Sequence, residues 1–192
     1  DMTQRIRGIT DDEEKETTRG ILVDAGEAAI GPLERFVTQQ DEGVALALRV
    51  LAAVAPAPKV LEVVLREVAR LGRTYTRDPE KKLVLLTWLR EHHAGAGGPA
   101  VEEALLPLLE DFSDDVRITA ARALAALAPG EKARDALIQL LLRDRDNARV
   151  RGEVLEALAQ LGADVKGHRP TVEPLLVEPF FLDREGRVKK RG

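Results

Sequence analysis

The chain has 192 residues, of which 44% are hydrophobic and 32% charged, with a formal net charge of −4 and no cysteine. This is the composition of a folded domain. It excludes a disulfide framework, a thiolate zinc site and a cysteine nucleophile, and the acidic balance argues against a domain-wide nucleic-acid footprint. Aromatics make up only 3% and the apolar residues are mostly Leu, Ala and Val, which favours closely packed helices over a β-sandwich or barrel.

In chain order, the first helix expected is a degenerate one at 12–25, where Glu14, Thr18, Leu22 and Ala25 keep helical spacing. Four further helices of the same type are expected at 42–55, 79–93, 114–128 and 147–162. Between them lie partner helices at roughly 27–39, 57–73, 99–111 and 131–143. Asp11, Asp41, Asp78, Ser113 and Asn147 each precede a helix of the first set. Their short side-chain oxygens suit an N-cap, where a free backbone N–H of the first turn needs an acceptor. Pro56, Pro58, Gly97-Gly98-Pro99 and Pro129-Gly130 fall where one helix pair hands over to the next.

The helix pairs repeat. Asp114-Asp115-Val116-Arg117 through Leu127 returns as Ala148-Arg149-Val150-Arg151 through Leu161, with Val116 and Val150, Leu124 and Leu158, and Leu127 and Leu161 each 34 positions apart. A fixed period of this length marks an α-solenoid, in which each unit buries its apolar face against the next. Residues 1–162 therefore read as a single array, and 163–192 departs from it. There, Phe180-Phe181-Leu182 and Val188 flank a glycine-containing turn, as in a short hairpin or extended cap.

The run from Asp114 to Leu127 resembles the second helix of a HEAT repeat, and more narrowly the bacterial HEAT-like repeats named after phycobilisome lyases. Residues 147–161 repeat the match, and 12–94 follow it more loosely. The resemblance implies an all-α, right-handed α-solenoid of about five helical hairpins, with the second helices lining a concave face. It implies a protein-binding scaffold or adaptor and no enzyme. In such repeats the arginine after the valine pairs with a turn aspartate of a neighbouring repeat. Arg117 and Arg151 fit that stacking role, and Lys82 is a weaker version of it.

No cluster amounts to an active site. Glu91-His92-His93 places adjacent imidazoles about 100° apart on a helix, a poor arrangement for sharing one ion. Ser113, the only serine, stands where a cap is needed, and Gly95-Ala96-Gly97-Gly98 lacks the Lys-Ser/Thr of a phosphate loop. Catalytic residues, metal and cofactor are therefore expected to be absent. The outward side of the second helices supplies the candidate contacts: Arg49, Thr87, Trp88, Arg122, Glu153 and Glu156. They suit a segment of mixed charge, acidic near Arg49 and Arg122 and basic near Glu153 and Glu156. Trp88 stands where the best-matched repeats carry Ala123 and Ala157. It is either filler behind a displaced helix or an anchor for a ligand. Two other functions compete with the scaffold: an accessory or lyase-type protein holding a prosthetic group, and a HEAT-like nucleic-acid repair protein, for which Trp88 would be the aromatic and Arg66, Arg70, Arg73, Arg77, Lys81 and Lys82 the backbone track. A protein partner, a monomer, a cytoplasmic setting and no membrane are expected, since no apolar run approaches the ~20 residues of a span. The start at Asp1 leaves room for a removed leader.

Overall fold

The computed structural model describes Glu16, Gly20 and residues 26–192. Apart from Glu16 and Gly20, the helix expected at 12–25 lies outside these residues. A 3-10 turn at Gly26–Ala29 leads into α1 (Ile30–Gln39), followed by α2 (Val44–Val54), α3 (Ala57–Leu71) and α4 (Glu80–His92). Next come α5 (Pro99–Leu105), α6 (Asp114–Leu127), α7 (Glu131–Arg143) and α8 (Ala148–Leu161). α5 tightens into a 3-10 stretch at Leu106–Glu110, because Pro107 has no N–H to continue the α-helical ladder. A single turn, α9 (Arg169–Val172), precedes two short strands, β1 (Phe180–Leu182) and β2 (Val188–Lys190).

The helices form two layers. α1, α3, α5 and α7 lie side by side in one, and α2, α4, α6 and α8 in the other. This is an all-α solenoid with one continuous apolar core along its length. Leu48, Leu85, Leu124 and Leu158 are fully buried in successive second helices, as the i, i+4 stripe in each requires. The starts of α6 and α8 are set by side-chain caps. Val116 N–H donates to Ser113 Oγ at 3.4 Å, and Val150 N–H to Asn147 Oδ1 at 3.2 Å. α2 starts differently from the expectation for Asp41. Gly43, in the left-handed region at φ 73°, occupies the cap position, and the Asp41 carboxylate points into solvent. Asp78 does take a first-turn amide, accepting from Glu80 N–H at 2.9 Å.

Two opposite charges, Glu67 and Lys81, are buried where α3 meets α4. Glu67 is 1% exposed and accepts from Arg70 Nε at 3.0 Å, with Lys81 Nζ at 2.9 Å. Burial pushes the Glu67 carboxyl up, but the hydrogen bonds from Arg70 and Lys81 and their charges outweigh it, so its pKa ends below the ordinary carboxylate value. The pair ties the two helices of one hairpin together, and removing either partner alone would strand a buried charge.

The tail occupies the places where a further hairpin would stand. α9 packs on α7 in the first layer, and β1 and β2 pack on α8 in the second. The strands pair antiparallel, Phe180 with Lys190 and Leu182 with Val188. Val188 N–H donates to Ala163 O, and Val165 N–H to Gly186 O, both at 2.9 Å, which fixes the strands to the end of α8. Val165, Val172 and Val188 are fully buried by this docking.

Candidate functional site

Adjacent second helices are locked by polar rungs at their N-terminal ends. Lys82 Nζ on α4 reaches Asp111 Oδ2, in the turn before α6, at 2.6 Å. Arg117 on α6 repeats this one unit later, with Nε 2.8 Å from Asp144 Oδ2 in the turn before α8. Its guanidinium also donates to Asp111 O at 2.8 Å and to Asp114 Oδ1 at 2.5 Å. Arg151, at the equivalent place on α8, meets a tail with no such aspartate. It donates instead to Arg145 O at 2.7 Å, and its Nε stays buried without a partner.

α4, α6 and α8 pack along their lengths, whereas α2 and α4 meet over a short stretch only. The cause is the connector. Residues 72–79 join α3 to α4, against only 111–113 and 144–147 at the two later turns. The longer link lets α4 stand away from α2, and a cleft opens between them on the second-helix side. One stretch of it holds about 580 Å³ beside Ala45, Arg49, Leu83, Val84, Thr87 and Trp88. A second, of about 720 Å³, extends it toward Gly43, Thr76 and Arg77, and the two share Ala45, Glu80 and Val84.

Trp88 forms part of the cleft wall while being only 8% exposed. Its indole stacks on the His92 imidazole, with centroids 3.8 Å apart and planes 14° from parallel. Its Nε1–H is buried and has no acceptor. Thr76 Oγ1, on the other stretch of the cleft, is likewise buried and unpaired. Two of the four buried side-chain polar atoms left without partners among the described residues thus belong to the walls of one cleft, where such atoms are uncommon.

The six candidate contacts divide. Arg49, Thr87 and Trp88 come together in the cleft. Arg122, Glu153 and Glu156 lie beyond it and are engaged within the protein. Arg122 Nη2 is 2.6 Å from Glu153 Oε2, and Lys190 Nζ of β2 is 2.8 Å from Glu156 Oε2. These bridges neutralise the alternating charges expected there, because the next second helix, or the strand in its place, carries the opposite sign at the facing position. Sequence reading missed the acidic lining of the cleft, Asp41, Glu42, Asp78, Glu80 and Glu91. A signal was present: Val50 and Trp88 are 38 positions apart, whereas Trp88 and Ala123 are 35 and Ala123 and Ala157 are 34. The longer step marks the looser joint.

His92 and His93 point to different surroundings. His93 Nε2 is buried without a partner, and its imidazole is held below the ordinary histidine pKa, first by burial and then by the neighbouring His92. Among the described residues, no group of three His, Asp or Glu is placed to hold a metal ion, and no helix is long and apolar enough to cross a membrane.

Comparison with known proteins places the family. The family model for HEAT repeats matches residues 102–188, from within α5 to the first residue of β2. No curated protein and no solved structure matches the chain. The match falls on the α5–α8 hairpins and the docked tail, the part of the array with the tightest period and the clearest Arg–Asp rung, and over these residues the chain matches the HEAT-repeat family.

Proposed function

We propose that this protein is a non-catalytic scaffold that holds a segment of a protein partner in the cleft between α2 and α4. HEAT repeats generally serve in protein interaction, and stacked hairpins suit that use because surface residues can change without disturbing the core. The observation that carries the reading is the opening of the second layer at this joint, unlike the later joints among the described residues; here Trp88 and Thr76 leave buried polar atoms unpaired. A bound segment would cover Leu83 and Val84, which are half-buried on the α4 wall. An indole in a partly enclosed cleft is also a common centre of binding energy.

The test is to fill the cleft. Thr87→Arg and Ala45→Arg each place a long side chain in it from opposite walls. Peptides selected by the full chain from a displayed library of random nine-residue sequences should lose at least tenfold in affinity for both variants, at an unchanged melting temperature. Peptides that bind both variants as well as the parent would place the site elsewhere.

A further inference from the structure

The cleft's charge names its occupant, an inference that rests on the reading above. Asp41, Glu42, Asp78, Glu80 and Glu91 line its two stretches. Asp41 and Glu91 approach a cation only at 4.0 Å, from Lys81 and Arg90 respectively. Glu42, Asp78 and Glu80 have no ion pair among the described residues. On the cationic side, Lys81 and Lys82 are turned inward to Glu67 and Asp111. That leaves Arg49 and Arg77, which carry no ion pair among the described residues, against five carboxylates.

The excess is negative, and it runs along the cleft. Glu80 and Glu91 begin and end the α4 wall, eleven residues apart, or roughly 16 Å at the helical rise. Between them the wall is apolar at Leu83, Val84 and Trp88. An extended chain covers that length in about five residues. Main-chain groups of an extended segment stay free to pair with the polar rim of the cleft whatever its side chains.

We propose that the cleft between α2 and α4 binds an extended basic peptide segment, with Lys or Arg side chains about five residues apart flanking an apolar or aromatic one. The cations sit near Glu80 and Glu91, and the apolar side chain lies against Leu83, Val84 and Trp88. Arg49, on the facing α2 wall, disfavours a third cation in the middle of the segment.

The same displayed nine-residue library tests this when selected against the full chain and, in parallel, against a Glu80→Lys/Glu91→Lys variant. Peptides enriched by the parent should carry two basic residues about an apolar one. They should bind the double variant at least tenfold more weakly, lose affinity as salt rises, and change the emission of Trp88, the chain's one tryptophan. Selected peptides without a basic bias, yet still blocked by Thr87→Arg and Ala45→Arg, overturn this inference and leave the cleft as the binding site. Peptides indifferent to those blocking variants, or no selected peptide at all, overturn both. A dimer of the chain in sedimentation that the double charge reversal dissolves would show that a second copy fills the cleft, and would also overturn it.

Discussion

His93 shows how competing effects at one residue are decided. It follows the last helical residue of α4, where the helix dipole favours a cation. Burial and the adjacent His92 oppose that charge and win, so its pKa is lowered. In the unfolded chain the imidazole protonates near the ordinary value, and in the folded chain only at lower pH. Between those two values the unfolded state binds more protons, so stability is full above about pH 6.5 and falls as the pH drops toward the folded value. Urea midpoints at pH 7.5 and 5.5 should therefore separate less in His93→Gln than in the parent. An equal separation would mean that His93 is not the buried base it is taken for. Residue roles of this kind were only partly legible. The caps Ser113 and Asn147 follow from side-chain chemistry and a local pattern. The partners of Arg122 and Glu156 depend on which residue of the next element faces them, and that is set by stacking.

At the level of the element, the two best-matched helices should be energetically interchangeable. Leu124 on α6 and Leu158 on α8 are both fully buried at the same place in the stripe. Truncating either to Ala leaves a cavity and should cost about 2–5 kcal/mol, read from chemical denaturation. A parent-like midpoint in both variants would show that the inward face has been assigned wrongly. Helix positions were readable in the sequence because apolar spacing, short polar residues at the starts and Gly-Pro breaks largely agree there. The finer form of α5 was less so, since Pro107 tightens its last turn without ending it. In the sequence the tail shows as a break in the 34-residue period. Its docking was not legible, because Val165, Val172 and Val188 are too widely spaced to show a periodic face.

Across the whole molecule, the array is held mainly by nearest-neighbour contacts, so its weakest joint governs how it opens. α6 is clasped between α4 and α8, with Asp111 of its leading turn held by Lys82 of α4 and its own Arg117 held by Asp144 of the turn before α8. α2 lacks a comparable seam with α4, although α3 and α5 keep the first layer continuous beneath it. The structure is thus a hinge with one closed leaf. Amides of α2 should exchange with deuterium faster than those of α6, and a peptide bound in the cleft should slow α2 selectively. Uniform protection of the two helices would rule out a loosened joint. The opposite end has a different consequence. A helical hairpin with a bare flank invites another copy to stack on it head to tail, and repetition of that contact makes an open filament. Here α9 and the β1–β2 pair already lie against α7 and α8, with Val188 of β2 itself fully buried. A second molecule would have to strip them away before it could add on, so polymer growth from this end is blocked by strands in a position where every preceding neighbour is a helix.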